Sequence, residues 1–317
     1  MKKLHILLMN RPHLLQRQFR LKVLLLLAFL LFAIISFLSK KPYAVISATS
    51  DILSYRVTRK EVAAIPLKDA ILRSDDFSFV PKNINNEQAS FTGILKPATG
   101  AIVHYRAKHD LISIVVEGGA SSSGSFYSSD GTEYTLGPRA MFVICASPNT
   151  LHFPIAGPAE IGQEFGVIDP IHQSSHTPTP IMSKGTVLIF GRGRIWPYSQ
   201  DLYPINGGSF TLPAGGRLSS GGTLIPGESS KEEPWFGIAT TTPEGFSISA
   251  TTLSSSLRIY RMGSSGESEN FALSVWTQTI SDPVFQLGIT IVGFIYALLE
   301  SVKLIKDMLR EQPKNEK

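Results

Sequence analysis

The chain has 317 residues, 43% of them apolar and 17% charged, with a formal net charge of +5. That composition excludes a chain disordered throughout, and the shortage of long apolar runs excludes a many-helix transporter. The single cysteine excludes an internal disulfide framework and four-thiolate zinc sites, while 26 glycines and 20 prolines favour turns over long helices.

Residues 1–22 form a basic tail with Lys2, Lys3, Arg11, Arg17, Arg20 and Lys22 and no acid. Residues 42–299 hold 17 basic and 21 acidic residues, a net of −4, so the basic excess lies in the tails. A nucleic-acid-binding domain would carry its basic charge on the folded part, so nucleic acid is not expected as a partner.

Residues 23–39, VLLLLAFLLFAIISFLS, contain no charge. As a helix they extend about 25 Å, near the short end of a bilayer span. Lys22, Lys40 and Lys41 flank the run and lengthen it by snorkelling. The run exceeds the apolar core of a signal peptide, and Ser39-Lys40-Lys41-Pro42 offers no small-x-small cleavage site. We therefore read an uncleaved signal anchor.

Residues 42–283 are punctuated at intervals of about ten residues, and short alternating or β-branched runs fill the intervals. AVISAT (44–49), AIVHYR (101–106), LISIVVE (111–117), AMFVICA (140–146), TVLIF (186–190) and FSISATTL (246–253) are examples. Asp130-Gly131 between GSFYSS and TEYTL predicts a hairpin. KEVAAIPLKDAILR (60–73) is the one helix-like stretch, and Pro66 interrupts it. The proline-rich segment 169–184 reads as a linker or long loop between a β-rich domain at 42–168 and a second β-rich part at 185–283. One intertwined domain is the rival reading. ISATSDILSYRV (46–57) and ISATTLSSSLRI (248–259) match at six of twelve positions. Because each leads to an anchor, the first and last strands are expected side by side.

After Asp282-Pro283, residues 284–302 read as a second transmembrane helix, with Trp276 at headgroup depth. Residues 303–317 form an amphipathic tail whose spacing is helical. The positive-inside bias places both termini in the cytoplasm and 42–283 in the periplasm or outside the cell. The fold class expected is mainly β: a β-sandwich or barrel-like extracytoplasmic region between two transmembrane helices.

Chemical signatures are sparse. His172 and His176 sit four apart but on a proline-flanked segment without the protease glutamate, so solvated loop histidines are favoured over a metal site. Neither GGASSSG (118–124) nor GSSGES (263–268) fits a nucleophile elbow, although His104, His109 or Asp110 with a serine would suit a hydrolase. Cys145, in an apolar run, is expected to be a buried small hydrophobe. Seven glycines at 207–227 read as turns, since no phosphate-loop lysine follows. Alternation places Arg192, Arg194, Trp196 and Tyr198 on one face, a platform for sugars or polyanions. No catalytic residue, metal or cofactor is assigned. The expected function is a non-enzymatic structural or interaction component of an envelope complex in the bacterial inner membrane. Its expected partners are the lipid bilayer, other envelope proteins and a second copy of the chain. An envelope glycan- or polymer-binding module and a periplasmic hydrolase are the alternatives.

Overall fold

The computed structural model describes residues 42–73, 90–108, 110–119, 122–145, 150–162, 181–192, 202–220, 224, 233–253, 257–261, 268–271 and 273–311. The expected anchor at 23–39 and most of the segment 169–184 lie outside them; the last residues of that segment already belong to a strand. The chain divides into two compact units, 41–190 with 207–273, and 1–40 with 191–206 and 274–317.

In chain order the strands begin with β1 (Tyr43–Ser50), β2 (Ile52–Arg56), β3 (Ile65–Arg73), β4 (Ser90–Pro97), β5 (Ile102–Lys108) and β6 (Leu111–Glu117). Next come β7 (Gly124–Ser128), β8 (Glu133–Thr135), β9 (Arg139–Cys145), β10 (His152–Gly157), β11 (Ala159–Ile161) and β12 (Met182–Arg192). The last are β13 (Leu202–Leu212), β14 (Arg217–Ser219), β15 (Trp235–Thr242), β16 (Gly245–Leu253), β17 (Arg258–Tyr260) and β18 (Ser268–Asn270). Two helices follow, α1 (Val275–Ile280) and α2 (Pro283–Glu311). The protein is mainly β, as its alternating runs predict.

Among the described residues these strands build two sheets. A six-stranded sheet runs β10, β15, β16, β1, β12, β13, and a twelve-stranded sheet runs β18, β17, β14, β11, β2, β5, β6, β9, β3, β4, β7, β8. Strands from both sides of segment 169–184 share both sheets. The expected neighbours are paired: β1 lies antiparallel to β16, with Ile46 opposite Ala250, Ser47 opposite Ser249 and Ala48 opposite Ile248. The two ISA triplets thus face each other about a local two-fold axis, which gives equal positions the same surroundings. Ile46, Ala48, Ile248 and Ala250 are all buried. Beyond the pair, β1 leads into β2 and β16 into β17, so both chains pass into the twelve-stranded sheet. There β11 and β14 separate them.

An aromatic cluster marks where the two sheets touch. Tyr105 on β5 lies 5.8 Å from Tyr55, 4.9 Å from Phe153 and 6.2 Å from Phe246, ring centroid to centroid. All four rings are fully buried. Burial pushes the Tyr55 and Tyr105 hydroxyls above the ordinary phenol range.

The helix-like stretch at 60–73 is a strand from Ile65 onward. Its register against β4 shifts between Leu67 and Ala70, where Asp69 adopts φ 51° and its N–H donates to Thr92 Oγ1 at 3.1 Å. The Asp-Gly hairpin forms as predicted. β7 and β8 pair, Gly131 takes φ 88°, and Ser128 N–H donates to Thr132 C=O at 2.9 Å. Left-handed backbone at that loop position suits glycine, which lacks a Cβ.

In the second unit, Pro283 opens α2, where its missing N–H costs nothing. Phe285–Ile305 is, among the described residues, one helical segment long and apolar enough to cross a membrane, and none of its most apolar stretch is buried. Thr290 Oγ1 donates to Gln286 C=O within α2 at 2.8 Å, and Gln286 Nε2 donates to Ile280 C=O at the end of α1 at 2.9 Å. The helix runs on to Glu311, as the amphipathic spacing predicts.

Candidate functional site

The side chains with chemical potential gather on one face of the twelve-stranded sheet. Alternation on β2, β5, β6 and β9 turns Leu53, Tyr55, Val103, Tyr105, Ile112, Ile114, Val116, Ala140, Phe142 and Ile144 inward, and all are buried. The opposite face must then carry the intervening residues. Register sets Ser54 opposite His104, His104 opposite Val115, and Glu117 opposite Arg139. On the other side of β2, Ser54 faces Glu160, Glu160 faces Ser219, and Ser219 faces Arg258.

These positions make a polar row across seven strands. Ser54 Oγ and His104 Nδ1 are hydrogen-bonded at 2.8 Å. His104 Nε2 stands 3.8 Å from Glu117 Oε2, an ion-pair contact rather than a hydrogen bond. Arg139 Nε holds the other Glu117 oxygen at 3.2 Å. The neighbouring His104 imidazole is the main influence holding the Glu117 carboxyl below its ordinary range; burial opposes it, and the Arg139 guanidinium adds to it. At the other end of the row, Arg217 Nε is 3.6 Å from Glu160 Oε1, and its guanidinium lies 4.0 Å from the Tyr260 ring centroid.

Arg56 differs from the other cations. It is 4% exposed, and its Nε and Nη1 have no hydrogen-bond acceptor. Buried N–H groups without an acceptor carry their desolvation penalty uncompensated.

Chemically, the row pairs a hydroxyl, an imidazole and a carboxylate in the order of a hydrolytic triad. The imidazole presents Nδ1 to the serine, and Ser54 sits within a strand rather than on a sharp turn. Elsewhere, an open depression of about 620 Å³ is lined by residues including Lys60, Lys96, Ser122, Tyr127 and Glu133. Lys96 Nζ covers the Tyr127 ring there at 4.1 Å.

Of the residues singled out from the sequence, Arg192 closes β12, and Arg194, Trp196 and Tyr198 lie outside the described residues. His109, His172 and His176 also lie outside them, and Asp110 occupies the turn between β5 and β6. Within GGASSSG, Ser122 Oγ donates to Leu136 C=O at 2.7 Å, a turn-closing bond. Among the described residues no group of three or more His, Cys, Asp or Glu side chains could hold a metal ion. Cys145 requires a correction: it is exposed, not buried. Ala140, Phe142 and Ile144 point inward, so the same alternation turns Cys145 outward at the end of β9. Ser54 and Glu117 were missed, because only strand register brings them to His104. No protein-family model, curated protein or solved structure matches the chain.

Proposed function

We propose that the chain is a two-pass inner-membrane protein that displays a β-rich periplasmic domain as a non-enzymatic structural or interaction component of a cell-envelope complex. The observation that carries this reading is the segment Phe285–Ile305, apolar and exposed, in a chain whose described residues are mainly sheet. Its exposed side chains include Leu287, Ile291, Phe294 and Leu298, which suit lipid. The uncharged run 23–39 supplies the other anchor, and the basic tail before it sets the orientation. The bilayer and other envelope proteins are the partners. Affinity capture of the full chain from detergent-solubilised, cross-linked membranes tests the reading. Envelope proteins should be retained in fixed proportion; a chain recovered alone would sink it.

The Ser54–His104–Glu117 row favours a second reading, a periplasmic hydrolase with Ser54 as nucleophile, His104 as base and Glu117 orienting it. A fluorophosphonate probe decides: labelling of the full chain that Ser54→Ala abolishes supports this reading, and no labelling removes it.

A further inference from the structure

We infer that the outer face of the six-stranded sheet is a dimer interface, on which a second copy of the chain packs face to face about a two-fold axis parallel to the strands. This rests on the reading of the domain as a membrane-anchored interaction module and names one partner, the chain itself.

The face departs from a solvated surface in its charge. β10, β15, β16 and β1 are four successive strands without Asp, Glu, Lys or Arg. On their core side Trp235, Ala239, Ile248 and Ile46 are buried. On the other side, register aligns Phe236, Thr251, Val45 and Leu188 in one row, and Ile238, Ser249, Ser47 and Thr186 in the next. This side is open: Phe236, Ile238 and Leu188 are 40%, 43% and 39% exposed, and Ser47, Thr186, Ser249 and Thr251 are exposed as well. Lys184, one row further, is paired with Glu244 at 3.4 Å. Aromatic and aliphatic side chains with charge depleted are the composition of an interface core. A lipid headgroup surface would call for cations on the face. A face without charge does not repel its own copy.

Size and direction fit a second copy. Six strands about 4.8 Å apart and about eight residues long cover about 750 Å². Each partner in a stable interface contributes about 800 Å². The uncharged run ends at Ser39 and Tyr43 opens β1 four residues later, so the Tyr43 end of the strands is the tethered end. Two copies in one bilayer must point their tethered ends the same way. A two-fold axis parallel to the strands keeps that direction, and one lying across them reverses it. Centred between β16 and β1, the parallel axis sets β15 of one copy over β12 of the other. Phe236 then meets Leu188 of the second copy, and Ser249 meets Ser47 of the second copy. Apolar flanks and central hydroxyls are matched, in the aligned packing of two sheets.

The test is the protein mass of the full chain in detergent micelles, measured by light scattering after size exclusion. The native chain should have the mass of two chains. Phe236→Lys and Leu188→Glu, each at an exposed position, should each halve it while the melting transition is kept. Combining them should restore the dimer, because the new ammonium and carboxylate face each other across the axis. Within one chain three strand intervals, about 14 Å, keep them apart. Ser249→Arg should also halve the mass, and it decides where either of the other variants fails to fold. A native chain of single mass, a dimer that persists in both single variants, or monomers that the combination does not restore would each overturn the inference. A native monomer that still captures envelope proteins overturns this inference alone, and if Phe236→Lys then loses them, the face belongs to one of them. A native monomer recovered alone overturns the interaction reading with it.

Discussion

Cys145 and Glu117 sit on the same sheet face, and their surroundings set opposite expectations for substitution. Cys145 is exposed at the end of β9, so exchanging its thiol for a hydroxyl strands no polar group in the core. Cys145→Ser should therefore change stability by less than about 0.5 kcal/mol in chemical denaturation. The native chain should also react with Ellman's reagent without denaturant, and a thiol that reacts only after unfolding would contradict its placement. Glu117 is tied to His104 and Arg139, and its folded carboxyl titrates below the ordinary range. A carboxylate with a depressed folded pKa adds stability above its unfolded pKa and loses it as the pH falls through the folded value. The melting temperature of the native chain should thus exceed that of Glu117→Gln near neutrality, and the gap should close below about pH 4. A gap that persists to pH 2 would show that the carboxylate charge is not what Glu117 contributes. His104 was legible as a candidate base, but Ser54 stands fifty residues before it and meets it only through the β2–β5 register. No local spacing encodes that meeting.

At the scale of elements, the sequence states a strand where its period stays at two and misleads where a bulge breaks it. In β3 and its approach the buried positions are Ala63, Ile65, Leu67 and Ala70. The final step of three, produced by Asp69 at φ 51°, imitates helical spacing. β1 and β16 carry no such break, and their pairing was legible from the shared ISAT motif and the expectation that each leads to an anchor. The matched triplets imply no duplicated domain: β12 and β15 occupy equivalent places beside β1 and β16, yet chain order relates the two halves in reverse. Helix α2 was legible because an uncharged run of that length has few other uses. Its own chemistry gives the test. Phe294 is 65% exposed near the middle of Phe285–Ile305. Phe294→Arg places a guanidinium where hydrocarbon is expected, at a cost of about 2.5–3.5 kcal/mol. A variant lacking residues 1–41, with α2 as its one long apolar segment, should resist alkaline carbonate extraction from membranes. The same chain carrying Phe294→Arg should be released. Equal extraction of the two would mean that α2 does not sit in lipid.

For the whole molecule, the decisive quantity is where charge lies along the chain. Six cations and no acid precede the first apolar run, whereas only Lys40 and Lys41 follow it closely. Cations within about 15–20 residues of a span resist translocation, so in the proposed topology the larger cluster stays in the cytoplasm and the sheets are exported. In that proposal the second apolar run returns the chain, and Lys303, Lys306 and Arg310 follow it, as a cytoplasmic end requires. The stretch proposed to be exported has net charge −4 despite the +5 of the whole, so its charge does not oppose translocation. Alkaline phosphatase, active only after export, reads this arrangement directly. Fused after Ser174 it should be active, and fused after Lys317 it should be inactive. Replacing Lys2, Lys3, Arg11, Arg17, Arg20 and Lys22 by glutamine leaves Lys40 and Lys41 as the stronger flank. Activity at the Ser174 fusion should then fall, because the first span inserts in the opposite sense or in a mixture of senses. An active fusion at Lys317 in the native chain would remove α2 from the membrane. An unchanged Ser174 fusion in the neutralised chain would show that something other than the basic tail orients the protein.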